Sequence, residues 1–139
     1  PFLWFNWPPA QCFMGDAGAV FIGFILGAIG LFAAWHSLLL GVAWLILMMP
    51  FIVDATGTLV LRLVQGHAPH HAHSDHCFQR FARLTGSALA IDLGLLLLQL
   101  IWQFPLAVWV VNGAGPPIPV LALSFIPAIS LMAYSRFSK

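Results

Sequence analysis

The chemistry-bearing residues of this chain are few and clustered. Its four acids are all aspartates, Asp16, Asp54, Asp75 and Asp92, and five of its six histidines fall between residues 67 and 76. Asp16 sits in "QCFMGDAGAVFIGF", at the start of an apolar run, with Gly15 and Gly18 beside it. An acid in the first turn of a helix is stabilised by the helix dipole, and that alone would explain it. The flanking glycines point further, because they let backbone approach a ligand closely. A hard cation such as magnesium takes one or two carboxylates and fills its other positions with water and substrate phosphates. A helix N-terminus beside it offers free N–H groups to phosphate oxygens.

The second cluster is "GHAPHHAHSDHCFQRFARL", residues 66–84, with His67, His70, His71, His73 and His76. Such a loop could bind zinc, nickel or copper, as in a metal-ion transporter or sensor. It could equally be a plain polar loop, or contact a phosphorylated substrate. Ser74 has the character of an N-cap, with Asp75 in the first turn of a short amphipathic helix. Phe78, Phe81 and Leu84 share one side of that helix. Arg80 and Arg83 share another, suited to anionic lipid or phosphate, or to simple interfacial anchoring.

The elements that must position these residues are membrane helices. The 139 residues are 61% hydrophobic and 6% charged, against about 25% charged in a soluble domain. A net charge of +1 and the absence of a basic run argue against nucleic-acid binding. Cys12 and Cys77 form no CxxC pair, so neither a disulfide nor a zinc knuckle is indicated. The chain opens at Pro1 with no signal-peptide pattern, and we expect it to be the C-terminal part of a larger protein. Four apolar segments, about 17–35, 37–58, 87–111 and 118–134, approach the roughly 20 residues a helix needs to cross a bilayer. Inside hydrocarbon every backbone polar group must be satisfied, so the expected fold is all-α, a polytopic membrane protein forming a single domain.

Four crossings put the N-terminus, the loop at about 63–86 and the C-terminus on one side. Arg62, Arg80, Arg83, Arg136 and Lys139 all fall there, so that side is expected to be cytoplasmic, in a bacterial inner membrane. Gly15, Ala19, Gly23 and Gly27 form a small-residue stripe, which predicts that the first helix sits inside a bundle. Pro50 should bend the second helix, with Asp54 one turn on. Asp54 and Asp92 lie within apolar segments, where a carboxylate usually marks a site; for Asp92 a hydrogen bond to a neighbouring helix or snorkelling to the interface would also serve.

The run "WFNWPPAQCFMGDAGAVFIGF" resembles the signature of the bacterial polyprenyl-phosphate sugar-1-phosphate transferases, glycosyltransferase family 4. Pro9, Phe13, Met14, Gly15, Asp16 and Gly18 match it in register. "PFIVDATGTLVLRL" resembles the family's next helix through Pro50, Asp54, Thr58 and Arg62. "AHSDHCFQRFARLTG" resembles its histidine loop, especially in the O-antigen-initiating branch, through His73, His76, Gln79 and Arg80. Ala19 stands where the family has Ser, and Ser74 where it has Arg. His67, His70 and His71 have no counterpart. The upstream paired-aspartate and Asn/Asp-rich motifs are absent from these residues, and the last two helices match only as apolar segments.

The resemblance implies transfer of a sugar-1-phosphate from a UDP-activated N-acetylated amino sugar to undecaprenyl phosphate at the cytoplasmic membrane face. Asp16 would hold magnesium, or manganese, on the donor diphosphate. His73 and His76 would act at the donor phosphate or sugar. Gly15, Gly18, Arg80, Asp54 and Arg62 would line the substrate site. The missing N-terminal half of the same protein would supply the other acids, so these residues alone are expected to be inactive. A metal-ion transporter or sensor built on the histidine loop, and an inactive remnant, are the competing expectations.

Overall fold

The computed structural model describes residues 15–64 and 86–137, and its helices are α1 (Gly15–His36), α2 (Leu38–Val64), α3 (Ala88–Leu98), α4 (Phe104–Val111) and α5 (Pro117–Phe137). A π-helical segment, Gln99–Gln103, joins α3 to α4. The described residues contain four helical stretches long and apolar enough to cross a membrane, namely α1, most of α2, α3–π–α4 as one unit, and α5. The all-α polytopic expectation holds, and the boundaries move by a few residues. The second helix runs on to Val64 and includes Arg62.

Local chemistry sets the ends. Ser37 is the only residue between α1 and α2, and its hydroxyl accepts from the Leu39 N–H at 3.2 Å, capping α2. Ser87 caps α3 in the same way, accepting from the Ala90 N–H at 3.3 Å. At the end of α4, Gly113 takes φ +68; its N–H reaches the Val110 carbonyl and the Ala114 N–H reaches that of Trp109. This is a Schellman closure, which an L side chain at Gly113 would strain. Pro117 then opens α5, where a missing N–H costs nothing.

Helix α2 is the hub. It packs against α1, the π segment, α4 and α5. The hairpin with α1 is antiparallel and very close. A Cβ on Gly30 would lie 2.6 Å from the Trp44 ring, and one on Gly41 would lie 2.9 Å from the Ala34 Cα. Ala43 and Ile46 of α2, Ala107 and Val110 of α4, and Val120 of α5 form one buried cluster; Met49, Val53 and Ala128 form a second. These pairings run α4 antiparallel to α2 and α5 parallel to it. Residues 15, 64, 87 and 137 therefore share one end of the bundle.

The small-residue stripe on α1 corrects one expectation. Gly23 and Gly27 have nothing within 4 Å of a would-be Cβ, and only 6% of the α1 span is buried, against 44% for α2. Among the described residues α1 lies at the rim. The close approach is made instead by Gly30 and Gly41, near the turn, where the single-residue connection forces the two backbones together.

Three of the four crossings contain a mid-span proline: Pro50 in α2, Pro105 just after the π segment, and Pro127 in α5. A helix-interior proline lacks an N–H, and its ring pushes the preceding carbonyls off the ladder. The wider π turn accommodates Pro105. Near the other two prolines, glutamine side chains bridge between helices. The Gln99 side-chain amide donates to the Leu47 carbonyl at 3.0 Å, and the Gln103 amide donates to the Ser124 carbonyl at 3.2 Å. Leu47 and Ser124 each lie three residues before a proline. The carbonyl that each proline leaves without an N–H partner is four residues back, that of Ile46 or of Leu123, so each glutamine bridges to the residue next to it.

Candidate functional site

Asp16 lies in the first turn of α1 and is exposed. Gly15, at φ +67, starts the helix, and a Cβ there would meet open space. Gly18 is half-buried one turn along. The first N–H groups of α1 have no intrahelical partners, so a carboxylate and several backbone donors share an open end of the helix. Among the described residues the carboxyl is not buried in a helix contact.

Asp54 has a different setting. It is 8% exposed, one turn after Pro50, and lines a cavity of about 10 Å³ with Leu95, Leu98, Ala128, Leu131 and Met132. That space is about enough for one water. Thr58, one turn further, is buried too. Asp92 is exposed on α3, on a separate groove shared with α2.

Register relates the three acids. From Gly30 opposite Trp44, fourteen steps back along α1 and fourteen forward along α2 bring Asp16 level with Thr58. From Gln99 opposite Leu47, seven steps each way bring Asp92 level with Asp54. All three therefore fall within about one helical turn, roughly 6 Å, at one end of the bundle. They share a level but not a site: among the described residues no three His, Cys, Asp or Glu side chains are placed to hold a metal ion together.

The donor set nonetheless suits magnesium. Asp16 supplies a reachable hard oxygen, and a site of this kind needs only one or two carboxylates, with phosphate and water completing it. His73, His76, Arg80 and the short helix expected after Ser74 lie outside the described residues, as do His67, His70, His71 and both cysteines. Arg62 is on the last turns of α2, at the same end as Asp16, and its side chain is likewise outside the description. What sequence reasoning missed is the pair Gln99 and Gln103. The signal was available: two glutamines four residues apart inside an apolar run, on a chain whose other crossings contain prolines.

The family model for glycosyl transferase family 4 matches residues 1–34, a stretch that holds Asp16, both flanking glycines and most of α1. A phospho-N-acetylmuramoyl-pentapeptide-transferase of Pelagibacter ubique is 38% identical over 80 residues, covering 52% of this chain and 21% of that protein. The protein of the same name from Desulforapulum autotrophicum is 38% identical over 81 residues, with the same coverage. A third, from Caulobacter vibrioides, is 54% identical over 41 residues, 30% of this chain and 11% of the relative. The chain thus spans about one fifth of the length of the first two curated relatives. No solved structure matches it. The segment that begins α1 and carries Asp16 is similar to glycosyl transferase family 4 and to these transferases.

Proposed function

We propose that these residues form part of a membrane transferase that moves a sugar-1-phosphate from a UDP-N-acetylamino sugar to undecaprenyl phosphate, starting a lipid-linked glycan. The observation that carries the reading is Asp16: exposed, beside an open glycine, at a helix N-terminus, inside the residues the family model matches. In this reaction an oxygen of the lipid phosphate bonds to the β-phosphorus of the donor. The bond from that phosphorus to the oxygen it shares with the α-phosphate breaks. UMP departs, leaving lipid-pyrophosphate-sugar.

Such a transfer needs mostly positioning and charge stabilisation, and little covalent chemistry from the protein. A bound magnesium or manganese ion would neutralise charge developing on the diphosphate, and Asp16 is the residue that would hold it. The free N–H groups at the start of α1 orient donor phosphate oxygens. His73 and His76 act on the donor phosphate or sugar, and Arg80 adds positive charge. Gly15 and Gly18 leave room for the diphosphate, and Arg62 stands at the same end of the bundle. Asp54 contributes as a buried acid one turn after Pro50, at nearly the level of Asp16.

The orientation follows the basic residues: the end with Asp16, Arg62 and Arg136 faces the cytoplasm of a bacterial inner membrane. The histidine-loop match, His73, His76, Gln79 and Arg80, favours a glycan of the O-antigen and lipopolysaccharide type; a donor like that of the named relatives would instead place the enzyme in peptidoglycan synthesis. The remaining acids come from other parts of the full-length protein, so the 139 residues alone do not turn over.

The test is Asp16→Asn in the full-length protein, reading UMP release with undecaprenyl phosphate and UDP-N-acetylglucosamine or a UDP-N-acetylated 6-deoxyhexosamine. Loss of UMP release supports the reading. Transfer at the unsubstituted rate removes it.

A further inference from the structure

The end of the bundle away from Asp16 has no Asp, Glu, Lys or Arg in its connections, residues 36–38 and 112–116. Something other than charge must fix how deep that end sits in the bilayer. We propose that Trp35 and Trp109 do so, as a pair of anchors in the lipid layer on that side. Their indole N–H groups donate to glycerol and headgroup oxygens, and their rings rest on the acyl chains.

The two indoles stand at one level. From Gly30 opposite Trp44, counting on along α1 brings Trp35 level with Leu39. From Gln99 opposite Leu47, counting on through α4 brings Trp109 level with Ser37. The pair is thus within about 3 Å along the bundle axis. Each lies in the last turn of its helix, since α1 ends at His36 and α4 at Val111. Both are exposed, Trp35 at 91%, with exposed Phe32 one turn deeper on the same side of α1.

The spacing to the opposite end fits a bilayer. Helix from Asp16 to Trp35 is about 28 Å long, and from Asp92 to Trp109 about 25 Å, close to the roughly 30 Å of a hydrocarbon core. An indole has a broad apolar ring and one N–H donor, which suits it to the membrane–water boundary. The other two described tryptophans are placed differently. Trp44 packs on Gly30 inside the hairpin, and Trp102, in the π segment, is level with it, about 8 Å deeper than the pair. Trp109 is also held from above. Gly115 is buried against its ring, and a Cβ there would lie 2.9 Å from it. With the indoles at one interface, Asp16 falls in the opposite headgroup layer, where lipid phosphates sit. The anchoring stands on the four crossings and not on the transferase reading.

The experiment is tryptophan fluorescence of the full-length protein in liposomes of phosphatidylcholine brominated on the carbons nearer the glycerol or on those nearer the chain ends. The emission that Trp35→Phe removes belongs to Trp35, and that removed by Trp109→Phe belongs to Trp109. We expect both components to be quenched by bromine on the glycerol side and to lose little to bromine at the chain ends. Should Trp109→Phe loosen the loop at Gly115, Trp35→Phe decides alone, because its exposed ring can be exchanged without disturbing the bundle. Stronger quenching of Trp35 from the chain ends would put it in hydrocarbon and overturn the proposal. Quenching by neither lipid would show that protein, from the rest of the chain or from a second copy, covers Trp35, and overturns it too. Turnover has no part in the readout, so failure of the transferase reading leaves this test intact.

Discussion

Helices α1 and α2 are equally apolar and joined by a single residue, yet 44% of the α2 span is buried and only 6% of α1. Helix α2 has neighbours on several sides, two buried clusters and a side-chain bridge from Gln99. Helix α1 leans on it through Gly30 and Gly41 near the turn and leaves Phe21, Phe24, Phe32 and Trp35 exposed. The helix that carries the strongest chemical signature is thus the least packed one. Apolar composition places a segment in the bilayer, but between membrane helices it supplies little attraction, because lipid is as apolar as leucine. Packing there comes from close approach and from polar bridges, and α2 has both.

If that contrast is right, substitutions in the two regions should fail in different ways. The largest effect belongs to the loose helix. Asp16→Asn in the full-length protein should lower turnover about 10³-fold, or about 4 kcal/mol of transition-state stabilisation. Its melting temperature in detergent should not move, since the side chain is exposed and its helix dipole term is small. A drop in melting temperature that accounts for the lost activity would make Asp16 structural.

The hairpin contact comes next. Gly41→Val puts a branched side chain against the Ala34 backbone and should destabilise by about 2 kcal/mol. Chemical or thermal unfolding in detergent reads it directly. An unchanged midpoint would mean that α1 and α2 separate without cost, and the hub description would fail.

Gln103→Leu should cost about 1 kcal/mol, typical of a side-chain hydrogen bond between membrane helices. Unfolding in detergent reads it, and an unchanged midpoint would show that the bridge to the Ser124 carbonyl adds nothing to stability. The smallest effect is at the stripe. Gly23→Ala and Gly27→Ala in the 139-residue chain should leave stability unchanged or raise it by up to about 1 kcal/mol through helix propensity. A clear loss would reveal a contact on the face that is open among the described residues.

Much of this was legible from residue order. The four crossings followed from apolar runs long enough to span hydrocarbon, and the turn near Ser37 and the Gly/Pro loop before α5 followed from breaker residues. Asp16 stood out by its glycine neighbours. Gly15, Ala19, Gly23 and Gly27 record a capacity for close approach, and among the described residues nothing uses it, because what approaches a helix face is decided elsewhere in the chain. The function of Gln99 and Gln103 was hidden for a related reason: each bridges to a carbonyl on another helix, 52 and 21 residues away in the chain.

Sequence by itself determined four segments long and apolar enough to cross a membrane, roughly where they turn, and which acid stands at the start of the first. Those are consequences of hydrocarbon thickness, backbone hydrogen bonding and capping, all of which act within one segment. Tertiary structure alone decided that α2 is the hub, that two glutamines bridge between helices near Pro50 and Pro127, and that Asp54 is buried while Asp92 looks onto a groove. Those outcomes depend on which helix face meets which, and in a bilayer that is settled by a few close contacts and polar bridges between segments distant in the chain.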